Sequence, residues 1–323
     1  KISVFLSGGS DSTSLSGLIA KKINYKLETF TYDFKNNYGF GESYLAKINS
    51  KFINASNNLF ELNSKYVVNN FDKMSEMLES PFTSIRLFAI HGLYNLVNEK
   101  KYKVVIEGAG GDEILGGYSY NLFPKILDES KSVNNIISKF LDFSIKSKKD
   151  TEIELLNRLI TLNFPSGSTT DATPYINIDF FSKDFLNNFL TENFYKLEKK
   201  YFSDYKKMNN LKKSQIQDIQ ENKLPRNLKF TDRLSMVNGI ETRLPFLDVD
   251  IAKYCFNLHN NYKINNGVNR WILKKVLNKK INKINLNKEK ISVADPQTYW
   301  FKSDMKDYIL DNFKSTSFNN LKI

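Results

Sequence analysis

The chain reads as an α/β protein: a parallel, doubly wound sheet followed by a mostly helical C-terminal part. Three observations predict this. Short apolar runs at residues 2–6, 26–34, 58–62 and 103–106 alternate with segments of helical spacing, and strands that alternate with helices pair in parallel. The first and fourth runs each lead into a glycine-rich loop carrying an aspartate, Ser7-Gly8-Gly9-Ser10-Asp11-Ser12-Thr13 and Gly108-Ala109-Gly110-Gly111-Asp112-Glu113. From about residue 121 the glycine and strand signals stop and helical spacing takes over. Residues 1–120 are therefore expected to form a nucleotide-binding α/β core, and residues 121–323 a mainly helical part that completes the site.

Ile2-Ser3-Val4-Phe5-Leu6 is rich in branched and aromatic side chains and predicts a buried strand, and residues 14–22 have the apolar spacing of a helix packed on a sheet. Between them stand two adjacent glycines flanked by hydroxyls. Such glycines let backbone N–H groups close on a phosphate, and the helix start adds orphan donors and a positive dipole end. Asp11 repels an anion, so its expected role is to hold a metal ion that bridges to one. The loop lacks the Gly-Lys-Ser/Thr ending of a Walker A motif. A glycine-rich turn with an N-capping Ser or Asp would use the same residue types, so this loop alone does not decide the matter.

Residues 26–34 alternate as a second strand, Asn36, Asn37 and Gly39 break it, and residues 42–52 look helical. A third strand at 58–62 precedes an amphipathic segment at 66–78. Arg86 follows a polar stretch at the entrance of the next helix, where a guanidinium can fork onto phosphate oxygens. His91 lies within that apolar helix as a packed, non-catalytic histidine, and His259 sits in a loop-like context. A fourth strand at 103–106 runs into Glu107 and the second glycine loop, whose Asp112 offers a second metal-ligand carboxylate. Both loops leave the carboxyl ends of their strands, where open α/β sheets bind ligands. Asp11 and Asp112 are thus expected to meet across one Mg2+–pyrophosphate.

Beyond residue 121, segments 131–146, 151–162 and 181–202 show helical spacing, and the polar loop 165–171 is a candidate lid. Asp232, Glu241 and Arg243 stand among apolar residues, which suggests a buried ion-pair network of structural character. Arg270 and Lys274 fall at i, i+4 on a helix start, two cations on one face that could meet an α-phosphate.

Composition narrows the classes. The chain has 323 residues, 41% of them hydrophobic, enough for one large core or two linked ones. Its single cysteine, Cys255, excludes an internal disulfide and a cysteine-based zinc site. No stretch approaches the ~20 apolar residues of a membrane span, and no signal peptide is visible, so the expected compartment is the cytoplasm. The net charge of +12 comes from scattered lysines, the pattern of a solvated basic surface rather than of a nucleic-acid interface.

The loop Ser7–Thr13 resembles the PP-loop of ATP pyrophosphatases. Together with Gly108–Tyr118, the Asp232–Asp248 block containing Arg-Leu-Pro-Phe-Leu-Asp, and the Gly267–Lys275 block, it resembles the synthetase domain of the asparagine synthetase family from residue 2 to about 277. The resemblance implies an adenine nucleotide alpha hydrolase-like sheet and an AMP-forming amide ligase. A substrate carboxylate would attack the α-phosphate of ATP, and ammonia or an amine would then displace AMP. It places Ser7, Gly8, Gly9, Ser10, Asp11, Ser12 and Gly108 at the nucleotide, Arg86 on phosphate, and Asp11 and Asp112 on Mg2+.

Two departures stand out. The family's Glu that handles the incoming amine is Ala109 here, and its catalytic lysine is Arg270. Glu107 lies two residues before Ala109 and would share its face if the strand continued. Arg270, Glu107 and Lys274 are therefore the candidate catalytic residues. The activation half-reaction looks intact and the amine half-reaction altered. The expected substrate is a small-molecule or peptide carboxylate, such as a uronic acid, rather than aspartate alone. An intramolecular amide-forming cyclase of the β-lactam or lasso-peptide type is the alternative, ahead of a PP-loop tRNA-modifying enzyme or a non-catalytic nucleotide-binding module.

Full-length relatives carry an N-terminal glutaminase domain as ammonia source. None stands within this chain, which begins at Lys1 rather than at methionine, so an upstream portion is expected to have been removed or the amine to come from elsewhere. The oligomeric state is not legible from the sequence.

Overall fold

The computed structural model describes residues 1–34, 41, 43–82, 84–131, 139, 208–280 and 295–315. The chain divides into two compact units: Lys1–Gly111 with Lys223–Asn257 and Ile272–Asn320, and Asp112–Asn222 with Leu258–Trp271 and Leu321–Ile323.

The first unit holds a five-stranded parallel sheet. Strands β1 (Ser3–Phe5), β2 (Glu28–Phe34), β3 (Ser56–Leu62), β4 (Val104–Ile106) and β5 (Glu241–Arg243) lie in the order β3-β2-β1-β4-β5. Alternation along the strands explains why they read as continuous apolar runs. On β1, Phe5 packs into one core with Phe30, Phe88, Tyr94 and Trp300, while its neighbour Val4 packs into another with Leu27, Ile19 and Ile106. On β4, Val105 joins the first core and Ile106 the second. Successive side chains point to opposite faces, and both faces are covered, as parallel sheets require.

Helix α1 (Ser10–Ala20) follows β1, and α2 (Ser43–Phe52) follows β2. The amphipathic segment after β3 splits into α3 (Ser64–Asn69) and α4 (Phe71–Leu78) at Asn70, whose backbone leaves the helical region. Helix α5 (Arg86–Glu99) begins at Arg86 as expected, and His91 within it is buried, with Nδ1 3.1 Å from the Tyr66 hydroxyl.

One expectation is overturned here. Asp232 lies exposed on a helix, Leu224–Val237, while Glu241 and Arg243 belong to the edge strand β5. Arg243 does pair with Glu241 at 2.9 Å, but with side chains 61% and 57% exposed. Arg233 likewise pairs with Glu79 in solvent-accessible positions. The block is a sheet edge with surface ion pairs, not a buried network. Its burial comes from elsewhere, since Leu234 and Ile240 enter the core and the Thr242 hydroxyl meets the buried Tyr94 hydroxyl at 2.8 Å.

The described part of the second unit is mainly helical. It includes α6, which begins at the boundary (Gly111–Leu115), the helices Leu122–Glu129 and Asn210–Gln217, and the two-stranded antiparallel hairpin β6 (Ile264–Asn265) and β7 (Val268–Asn269). Asp128 ties the helix Leu122–Glu129 to the start of Asn210–Gln217 and to Asn260, accepting from the backbone N–H groups of Asn210 (2.6 Å) and Leu211 (3.0 Å) and from Asn260 Nδ2 (3.1 Å). Helices expected at 131–146, 151–162 and 181–202, and the candidate lid at 165–171, lie outside the described residues save for Lys131 and Lys139.

Candidate active site

Strand order brings the two glycine loops together. β1 pairs with β2 on one side and with β4 on the other, with Val4 opposite Ile106. The sheet therefore reverses its winding between β1 and β4, the crevice where open α/β sheets bind ligands. Both loops leave the carboxyl ends of these adjacent strands.

The first loop turns at Gly8, whose φ of +82° is left-handed and suits only glycine. Helix α1 then starts at Ser10, four residues earlier than expected, so Ser10, Asp11 and Ser12 form its first turn. Gly9, the N-cap, supplies no side-chain cap. The leading N–H groups and positive dipole end therefore carry no capping side chain from the N-cap, the arrangement that suits an anion. The loop is internally braced: the Ser7 N–H donates to Ser12 Oγ at 3.2 Å, and the two hydroxyls lie 3.2 Å apart. From α2, Asn49 Nδ2 donates to the Gly8 carbonyl (3.3 Å) and to Thr13 Oγ1 (3.0 Å). No local pattern in the sequence marked Asn49 for this role.

The second loop packs backbone-first against the first. A Cβ on Gly108 would lie 3.1 Å from the Ser12 backbone nitrogen and 3.3 Å from Asp11 Cβ, and one on Gly111 would lie 3.2 Å from Asp11 Cγ. Only glycine fits such spacing without displacement, so the close approach of the two loops depends on the missing side chains. Asp11 is partly buried in the first turn of α1, and Asp112 follows Gly111 directly. Among the described residues no group of three or more His, Cys, Asp or Glu could hold a metal. The donor chemistry fits Mg2+, which takes one or two carboxylates and completes its shell with phosphate oxygens and water.

Arg86 opens α5, where the chain before it is pinned from the C-terminal segment. Ser84 Oγ accepts from the Arg86 N–H (3.1 Å) and donates to Asp295 (2.9 Å), and Gln297 Oε1 accepts from the Ile85 N–H (2.9 Å). These two partners lie more than two hundred residues away in sequence, which is why sequence reading missed them.

Glu107 extends the β4–β5 ladder by one residue, its N–H donating to the Arg243 carbonyl at 3.0 Å. The strand ends at Ile106 and Ala109 lies in a turn, so strand alternation does not carry from Glu107 to Ala109. Desolvation pushes the Glu107 carboxyl up to about 7, and its charge adds to the burial that raises the Tyr94 phenol.

In the second unit, Arg270 is buried and its Nη1 lies 2.7 Å from Asp112 Oδ1. The expected helical i, i+4 pairing of Arg270 with Lys274 is corrected: Arg270 has φ +53° and precedes the helix Trp271–Lys280. Lys274 is partly buried within that helix and belongs to the first unit. Beside Asp112, Glu113 is buried and accepts from the Tyr118 hydroxyl at 2.7 Å; burial and then the Glu113 charge raise the Tyr118 phenol.

A family model described as asparagine synthase matches residues 1–322. The chain is 25% identical over 310 residues to asparagine synthetase [glutamine-hydrolyzing] 1 of Bacillus subtilis, covering 94% of this chain and 48% of that protein. It is 22% identical over 303 residues to amidase chry2 of Gibberella zeae, covering 81% and 43%. It is 25% identical over 324 residues to a putative asparagine synthetase [glutamine-hydrolyzing] of Mycobacterium tuberculosis, covering 94% and 46%. The chain spans about half the length of the curated relatives it matches. No helix among the described residues is long and apolar enough to cross a membrane. A match across nearly the whole chain, on a sheet of this topology, settles descent: the chain belongs to the asparagine synthase family.

Proposed function

We propose that this chain is the synthetase part of an ATP-dependent amide ligase that forms AMP and pyrophosphate. The single observation that supports it best is the meeting of two glycine loops at the switch point between β1 and β4, with Gly108 and Gly111 against Ser12 and Asp11. In this reading the first turn of α1 and the hydroxyls of Ser7, Ser10 and Ser12 hold the β- and γ-phosphates, and Arg86 forks onto phosphate oxygens. Asp11 and Asp112 hold Mg2+, which would neutralise charge on the departing pyrophosphate. The two carboxylates belong to separate units, and their sharing one ion is part of the proposal.

The reaction has two steps. A substrate carboxylate oxygen bonds to the α-phosphorus as the bond to pyrophosphate breaks. Ammonia or an amine then bonds to the acyl carbon, AMP leaves, and the nitrogen gives up a proton. Glu107 is the proposed acceptor of that proton, because a carboxyl titrating near 7 can both take and release it at neutral pH. Arg270 and Lys274 are assigned to the charge on the α-phosphate. The carboxylate is one other than, or additional to, aspartate. The relative named as an amidase is compatible with such a divergence. A glutaminase domain or subunit is the proposed ammonia source, and the cytoplasm the proposed location.

Ala109, where the family has its amine-handling Glu, also favours a second reading in which the amine belongs to the substrate itself and a ring closes. Mg2+-dependent ATP–pyrophosphate exchange across a panel of carboxylates tests the first step, with Asp11→Asn abolishing it. Adding ammonia or hydroxylamine then separates the readings, since a cyclase releases AMP without either. Absence of exchange with every carboxylate, while ATP still binds, would sink the ligase.

A further inference from the structure

The hairpin β6–β7 ends on Arg270 in a conformation that side chains rarely adopt. Its turn passes through Asn266 and Gly267 at φ +48° and +74°, and Arg270 itself stands at +53°. Asn269 clamps the hairpin to the segment that follows α6, its Nδ2 donating to the carbonyls of Gly117 (3.1 Å) and Tyr118 (2.7 Å). The result is a guanidinium Nη1 held 2.7 Å from Asp112 Oδ1, with side chains only 6% and 13% exposed. On its other flank Asp112 packs against Gly117, where a Cβ would strike its Oδ1 at 1.8 Å.

We propose that Arg270 is a resident competitor for the divalent ion at Asp112, and that Asn269 is the positioning residue that keeps it there. The inference rests on the assignment of Asp112 to Mg2+ made above. A buried carboxylate paired with a fixed cation is a poorer metal ligand than an open one, because the incoming ion meets like charge in a medium of low dielectric. Metal must either displace the guanidinium or bind against its repulsion. A left-handed backbone at a non-glycine residue persists only where its surroundings hold it, and the two Asn269 bonds supply that hold. Arrival of the metal would then loosen Arg270 from Asp112 and make its charge available to the reacting phosphate. Metal loading and the readiness of Arg270 become one event.

The test counts free Mn2+ by electron paramagnetic resonance with neither nucleotide nor pyrophosphate present, which reads binding to the protein without turnover. Arg270→Gln is expected to bind Mn2+ about tenfold more tightly than wild type, as when a competitor that occupies most of the sites is removed. Asn269→Ala is expected to move the same way by a few fold, and Asp112→Asn to weaken binding. Free guanidinium added to Arg270→Gln should weaken Mn2+ binding again. If Asp112→Asn weakens binding while both Arg270→Gln and Asn269→Ala keep the wild-type affinity or lower it, the competition is refuted and the metal assignment stands. If Asp112→Asn leaves Mn2+ binding unchanged, the metal assignment itself fails and the competition with it.

Discussion

Asn49 Nδ2 lies 3.0 Å from Thr13 Oγ1 and 3.3 Å from the carbonyl of Gly8, so α2 braces the first glycine loop at both points. Asn49→Ala removes both bonds. It should cost about 1–2 kcal/mol of stability and raise the KM for ATP several-fold with little change in kcat. Thermal unfolding and pyrophosphate-exchange kinetics check the two parts separately.

Gly108→Ala tests the packing of one loop on the other. The new Cβ would press on the Ser12 backbone nitrogen at 3.1 Å, a contact that no side-chain rotation relieves. Overpacking of this kind costs about 1–3 kcal/mol, and moving Ser12 should abolish exchange while the fold survives. Retained exchange at the wild-type rate would show that the loops tolerate separation.

Glu107 and His91 give opposing pH dependences. Burial raises Glu107 from 4.5 to about 7, so the folded chain holds more protons than the unfolded one in that window, and stability falls as pH rises through it. Burial lowers His91 from 6.5 to about 4, so the unfolded chain holds more protons there, and stability falls as pH drops. Each is worth roughly 3 kcal/mol, and over their common range they largely cancel. Glu107→Gln should expose the His91 slope, with stability rising with pH from about 4 to 6.5. His91→Gln should expose the opposite one. Urea unfolding across that range reads both, and parallel profiles for the two variants would refute the assignment.

The β5 edge separates surface charge from buried contact. Glu241→Gln removes an ion pair whose side chains are more than half exposed, and should leave the unfolding midpoint where it was at any ionic strength. Tyr94→Phe removes a buried hydroxyl 2.8 Å from Thr242 and should cost about 1 kcal/mol. A larger effect from Glu241 than from Tyr94 would contradict this account of the edge.

Much of this protein was legible in the chain itself. Period-two and helical spacing located β1, β2, β3, β4 and the helices between them, because each element's burial is written in its own residues. The two glycine–aspartate loops were legible because clustered glycines after a strand mark a place where backbone comes too close to its neighbours for a side chain. The strand β5 was not, since Glu241-Thr242-Arg243 has no apolar residue and only Thr242 turned inward, and it owes its place to pairing with β4. Arg270 likewise read as the start of a helix, because spacing cannot report a positive φ. Only the tertiary structure set β4 beside β1, brought Gly108 against Ser12, carried Asp295 and Gln297 to the approach of Arg86, and put Arg270 on Asp112. Such contacts join residues far apart along the chain, and their partners are chosen by the packing of whole elements rather than by any local pattern.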